Sequence, residues 1–173
     1  TGDMFRALAV QGVEVGLEAK RYMDQGDLVP DDLVIAVVEE CLTPGGPLED
    51  GFILDGFPRT LPQAVELDRV LDGRPLDLVI ELAVPREVVL ERIAGRRGCE
   101  QCQRVYHVDM PPTSGWVCDT CGGDVIRRDD DTPDAINRRL DLYEEQTSPL
   151  IEYYERQGRL AIVDGTATPD EVF

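Results

Sequence analysis

The chain has 173 residues, 42% of them hydrophobic and 30% charged, enough for one compact domain with an inserted subdomain. Its 35 acidic side chains against 17 basic ones leave a formal charge of −18, which argues against nucleic acid or an anionic membrane as a partner, since both are repelled at long range. No run approaches the ~20 apolar residues needed to span a bilayer and nothing at the N-terminus resembles a signal peptide, so a cytoplasmic location is expected.

From Asp3 to about Gln25 the apolar positions Met4, Leu8, Val10, Val15, Leu17, Tyr22 and Met23 predict two short helices, broken near Gly12 and ended by Gly26. They would form a small helical flap. Pro30, Asp31 and Asp32 open the next helix, with carboxylates near its positive end, and it runs to about Leu42. Cys41 falls on the apolar stripe of Leu33, Val34, Val37 and Val38 and reads as a core thiol without chemistry. A Pro/Gly loop over 43–50 leads into Phe52, Ile53 and Leu54, a continuous apolar run expected to be a parallel strand covered on both faces. Leu61 to Leu71 reads as a helix, Leu78 to Val84 as a second buried strand and Pro85 to Ile93 as a crossover helix. Gly95 to Asp131 breaks the rhythm and reads as an inserted β-rich subdomain. A helix or kinked helix pair follows from Pro133 to about Gln157 with Pro149 at the kink, then a last strand from Leu160 to Val163. Thr168 and Pro169 look like the cap and first residue of another helix. Strands alternating with helices imply a parallel, right-handed α/β sheet.

The five cysteines divide into four and one. Two residues separate Cys99 from Cys102 and Cys118 from Cys121, and 15 residues separate the pairs, which is the spacing of a structural four-thiolate zinc site. Disulfides are the rival reading, disfavoured in a reducing cytosol. Four thiolates leave zinc no open position for water, so the site is structural rather than catalytic.

The run from Gly51 to Thr60 brings charge and special backbone to one edge of the expected sheet. Asp55 arrives where the apolar run stops, Gly56 permits a close backbone approach, Pro58 fixes the turn and Arg59 offers a planar fork of donors suited to phosphate. Thr60 can cap the helix that begins at Leu61. The bland alternative is an ordinary strand-to-helix loop with a solvated arginine. The chain carries 16 Arg and one Lys, several in pairs such as Arg96 and Arg97, Arg127 and Arg128, Arg138 and Arg139, which without further context read as solvated surface.

Five segments stand in the order and spacing of adenylate kinases and together cover nearly the whole chain. They are Thr1 to Arg6, Asp55 to Thr60 with Gln63, Gly95 to Arg97, Arg104 to His107, and Val163 to Thr166. The resemblance is specific at the level of nucleoside monophosphate kinases. It implies a P-loop-kinase-like parallel sheet flanked by helices, with an AMP-binding flap over 1–29, a core over 30–94 and 132–173, and a zinc-binding lid over 95–131. The family's Gly-rich phosphate loop ending in Gly-Lys does not occur in this sequence, and the only lysine, Lys20, follows no Gly-rich turn. The family's five-stranded sheet would then draw two strands from a preceding segment, and residues 1–173 alone are expected to have little activity.

By the same resemblance, Thr1, Arg6, Asp27, Leu28, Val29, Gly56, Phe57, Pro58, Arg59 and Gln63 form the AMP site, with the Gln63 amide able to pair with an adenine edge. Arg92, Arg96, Val105, Tyr106 and Ala167 map to the ATP side; at Ala167 many relatives carry a polar side chain, leaving only backbone contact here. Arg128 and Arg139 map to arginines that grip the phosphates between the nucleotides, alongside Arg59 and Arg96, and Asp55 to the acid that orients water on Mg2+. His107 matches a family position and receives no role. The resemblance favours AMP over CMP or UMP. The implied function is reversible transfer between ATP and AMP to give two ADP, by a monomer with a structural Zn2+ and with Mg2+ on ATP. The alternative is a non-catalytic protein that keeps an AMP site and uses the zinc ribbon to bind a partner.

Overall fold

The structure is a computed structural model that describes residues 1–42, 51–168 and 172. The two N-terminal helices, α1 (Gly2–Val10) and α2 (Glu14–Gln25), pack closely on each other. A Cβ on Gly16 would lie 2.3 Å from the backbone nitrogen of Ala9, so only glycine lets the helices meet at that distance. Phe5 and Ala19 carry this pair into a core shared with Val34, Val38 and Leu42 of α3 (Asp31–Leu42), Phe57, Leu67 of α4 (Leu61–Val70) and Leu71.

Alpha-helix α2 ends on Gly26, which takes the left-handed conformation at φ 79° and leaves the Asp27 N–H bonded to the Tyr22 carbonyl at 3.0 Å. A Cβ at Gly26 would also lie 2.4 Å from the carbonyl oxygen of Ala135 in α6 (Pro133–Leu142). Both constraints exclude a side chain. Gly26→Ala is therefore expected to lose about 1 to 3 kcal/mol of stability in denaturant titration; a loss below about 0.5 kcal/mol would show that α2 and α6 part easily.

The core sheet described here has two parallel strands, β1 (Val79–Ala83) and β5 (Leu160–Asp164), with Val79 opposite Leu160 and Ala83 opposite Asp164. Two expectations are corrected. The Phe52–Leu54 run is not a strand, because no described segment supplies it with a ladder of backbone partners; Phe52 and Leu54 pack on the core while Ile53 is 95% exposed. The second strand is not buried on both faces either. Val79 and Leu160 pack under Ala64, Leu150 and Tyr154, whereas Ile80 and Leu82 remain exposed on the opposite face, and Ile162, on the same face as Leu160, is exposed beyond the cluster. One covered face gives the two-residue alternation of a half-buried strand.

After β1, α5 (Arg86–Gly95) runs into the expected insertion, where β2 (Arg96–Cys99) pairs antiparallel with both β3 (Val105–His107) and β4 (Val125–Ile126). Thr132 then caps α6 by accepting the Ala135 N–H at 3.2 Å. The break expected at Pro149 is a π-helical turn over Tyr143–Thr147, closed by the Ser148 N–H on the Tyr143 carbonyl at 2.8 Å, before α7 (Pro149–Arg156). Proline has no N–H for the preceding turn, and the wider turn absorbs the loss. The loop expected over 43–50 and the helix expected from Thr168 and Pro169 fall largely on residues 43–50, 169–171 and 173, outside the described residues; the Val172 N–H does bond to the Thr168 carbonyl at 3.1 Å.

Candidate functional site

Five arginines from five places in the sequence meet at one cleft of about 280 Å³: Arg6, Arg59, Arg96, Arg128 and Arg139. Among the residues expected at the AMP site, Thr1, Arg6, Asp27, Leu28, Val29, Gly56, Arg59 and Gln63 line it, with Arg128 and Arg139. The α2 C-terminus is held against α6 here by Arg139 donating to the Met23 carbonyl at 3.2 Å and by Arg138 on Asp27 at 2.7 Å. Phe57 does not line the cleft and is core, and Pro58 sets the turn through a cis peptide after Phe57. Asp55 is exposed and contributes its backbone carbonyl to the Thr1 nitrogen at 2.9 Å.

Two carboxylates that the sequence reading passed over organise these arginines. Asp131 is fully buried and takes a two-pronged contact from Arg96, Nε at 2.9 Å and one terminal nitrogen at 2.5 Å, with Arg139 at 3.3 Å. Asp130 binds Arg139 at 2.6 Å and Arg6 at 3.5 Å. Burial opposes the charge of Asp130, but Arg139 and then Arg6 outweigh it and hold the carboxyl below its usual range. The signal was the acidic run Asp129 to Asp131 directly after Arg127 and Arg128. Nothing local distinguishes such a run from a solvated one.

Arg128 has no such partner. Its Nε is buried without a hydrogen bond among the described residues, and Asp3 stands 4.0 Å away. Burial first, then the charges of Arg6 and Arg96, push its guanidinium below the ordinary value; Arg59 is lowered by desolvation and by Arg139. Crowded cations of this kind are relieved by an anion, and guanidinium forks match phosphate oxygens.

A second cleft of about 580 Å³ gathers Arg92, Arg96, Val105 and Tyr106 with His107 and Arg104. Arg92 donates to the carbonyls of Gly165 at 2.6 Å and Thr166 at 3.0 Å, with Ala167 at 3.5 Å, so the expected ATP-side residues Arg92 and Ala167 adjoin each other. His107 packs against Gly95, where a Cβ would lie 2.0 Å from its Nε2, and its Nδ1 stands 3.1 Å from Asp109. A third cleft of about 910 Å³ opens at the carboxyl ends of β1 and β5, reaching Ala83 and Asp164. Parallel α/β sheets bind ligands at that end of their strands. Arg59 and Arg139 border this cleft as well as the first.

The four paired cysteines come together in the insertion, their sulfurs all within 4.8 Å of one another. Cys99 and Cys121 are 3.4 Å apart and Cys102 and Cys118 3.5 Å, all as free thiols. Sulfurs about 2.3 Å from one tetrahedral zinc would be spaced by about 3.8 Å, so the quartet fits that ion. The chemistry also fits. The Tyr106 hydroxyl, with the Thr120 and Cys121 N–H groups, draws the Cys118 thiol down to about 5. At Cys121 the Gly123 N–H favours the thiolate, but the Cys99, Cys102 and Cys118 sulfurs and burial drive the thiol up to about 12. Without a cation the four thiols do not ionise together, and a dication at their centre removes that conflict. The lone Cys41 lies on α3, half-buried and apart from the quartet.

An α/β core with an arginine-lined cleft and a four-cysteine insertion defines a protein built to hold anionic ligands beside a parallel sheet. A family model described as adenylate kinase matches residues 1–159. The chain is 51% identical to an adenylate kinase of Carboxydothermus hydrogenoformans, over all of this chain and 82% of the relative. It is 49% identical to that of Agathobacter rectalis, again over 82% of the relative, and 48% to that of Methanosarcina mazei, over 81%, each match covering the whole chain. The chain belongs to the adenylate kinase family.

Proposed function

We propose that this protein is an adenylate kinase, transferring the terminal phosphoryl group of ATP to AMP, reversibly, to give two ADP. The observation that carries the reading is the position of Arg59 and Arg139 in the wall shared by the arginine cleft and the cleft at the strand ends. A phosphate oxygen of AMP attacks the γ-phosphorus of ATP, the bond from that phosphorus to the bridging oxygen breaks, and ADP leaves. Positioning and charge neutralisation supply the rate in such a transfer, and arginines do both.

In this reading the AMP side is the cleft of Arg6, Leu28, Val29, Gly56, Arg59 and Gln63, and the donor side is approached by Arg92, Arg96, Val105, Tyr106 and Ala167. Arg128 and Arg139 meet the phosphates between them. Asp55 would orient the waters of the Mg2+ that comes with ATP, an ion that would supply charge neutralisation at the phosphates. The quartet of Cys99, Cys102, Cys118 and Cys121 would hold a structural Zn2+. Residues 1–29 would act as a flap and 95–131 as a lid, closing over the nucleotides and excluding water. Among the described residues no helix is long and apolar enough to cross a membrane, and we place the enzyme in the cytoplasm as a monomer.

The direct test is formation of ADP from ATP and AMP with Mg2+, followed in a coupled assay. Gln63→Ala is expected to raise the KM for AMP roughly tenfold or more, because two hydrogen bonds to the base are lost, and to leave the KM for ATP within about twofold. An unchanged KM for AMP would remove Gln63 from the acceptor site.

A further inference from the structure

We propose that Asp31 is a specificity-determining positioning residue, fixing the polarity of the Gln63 amide so that the cleft accepts a 6-aminopurine monophosphate and rejects its 6-oxo counterpart. The inference rests on the assignment of this cleft to AMP. Gln63 lies in the first turn of α4, only 2% exposed, and lines the cleft. Its Nε2 donates to Asp31 Oδ1 at 2.7 Å, and its Oε1 accepts the Arg59 N–H at 2.8 Å. Turning the amide over would set its NH2 against the Arg59 N–H and its carbonyl against the Asp31 carboxylate. Both contacts would become repulsive, so only one polarity is stable.

Asp31 is itself held in place. The Thr60 hydroxyl donates to its Oδ2 at 3.0 Å while accepting the Gln63 N–H at 3.3 Å, and Asp31 begins α3, where the helix dipole favours its charge. Asp31 does not line the cleft and acts through Gln63.

An amide side chain has two N–H donors and two acceptor lone pairs. Gln63 spends one of each inside the protein, and one N–H and one lone pair remain in a fixed order. The 6-aminopurine edge offers N1 as acceptor beside the N6 amino donor, whereas a 6-oxopurine offers the N1–H donor beside the O6 acceptor. A glutamine free to turn over could satisfy either. One whose polarity is set cannot, and a site that leaves buried polar groups unpaired discriminates strongly.

The test is titration calorimetry of the zinc-loaded protein with AMP and with IMP. For Asp31→Ala the ratio of AMP to IMP affinity is expected to fall at least fivefold. Asp31→Ser, whose hydroxyl tolerates either amide polarity and suits a helix start, should show the same fall and serves if the alanine variant does not fold. Asp31→Asn should retain most of the ratio, because its oxygen still accepts from Gln63 while its NH2 donates to Thr60. Asp31→Ala and Asp31→Ser that weaken both nucleotides equally, with an unchanged ratio, would overturn the proposal. Gln63→Ala locates such a failure: if it abolishes the preference, only the role of Asp31 is wrong, and if it too leaves the ratio unchanged, the assignment of this amide to the base is wrong.

Discussion

Arg128→Ala is expected to lower maximal turnover about a thousandfold, with the affinity for AMP changed only a few-fold. The magnitude is that of arginines that meet a phosphoryl group as it moves. Arg128 fits that role because its charge is only loosely paired. Its side chain is 13% exposed, Asp3 is 4.0 Å away, and burial with the Arg6 and Arg96 charges disfavours the cation until an anion arrives. Arg139 makes the contrast. It is paired with Asp130 and Asp131, so Arg139→Ala should reduce both turnover and stability by leaving buried carboxylates short of a partner. Steady-state kinetics at saturating ATP and AMP, with thermal unfolding of both variants, separates the two cases. If Arg128→Ala changed only KM and kept full turnover, its place at the transferring phosphate would be refuted.

Removing zinc is expected to unfold the insertion before the rest of the molecule. The insertion is built on strands of four, three and two residues, and its buried cluster is Cys99, Tyr106, Cys118 and Val125. Two members of that cluster, Cys99 and Cys118, belong to the thiol quartet proposed to hold zinc. So little apolar burial cannot offset the chain entropy of the segment, whereas a structural zinc contributes an apparent ~10 to 16 kcal/mol in small peptides at neutral pH. Chelation under reducing conditions, or Cys118→Ser, should therefore abolish hydrogen-exchange protection over 96–128 while the α1 to α4 core keeps its own. Elemental analysis that finds no metal in protein purified without chelator, its four thiols free, would end the zinc reading. Protection that survives chelation would show that the strands stand without it.

Much of the site was legible in the sequence because the signals were local. The cysteine spacing anticipated a four-sulfur cluster, Thr60 caps α4 as its position before Leu61 implied, and Gly26 closes α2. The resemblance carried Arg6, Arg59, Arg128 and Arg139 to one place, and the structure gathers them in one cleft. Asp130 and Asp131 were missed because an acidic run beside arginines looks the same in sequence whether it is solvated or buried. Burial of Asp131 depends on Arg96, 35 positions away, and on Arg139 in the following helix.

Sequence alone thus determined the helix starts and stops, the β-rich character of the insertion and the types of residue available for phosphate and metal, since each follows from backbone preference or short-range spacing. Tertiary structure decided what those residues can do. Phe52 to Leu54 carries a strand's apolar pattern yet forms none among the described residues, because a strand exists only with a paired neighbour. The Gln63 side chain is committed on one side to Asp31, 32 positions distant, and on the other to Arg59, which no reading along the chain could supply. Conformational preference is written in neighbouring residues, whereas burial, pairing and the polarity of a polar side chain are set by atoms that meet only when the chain has folded.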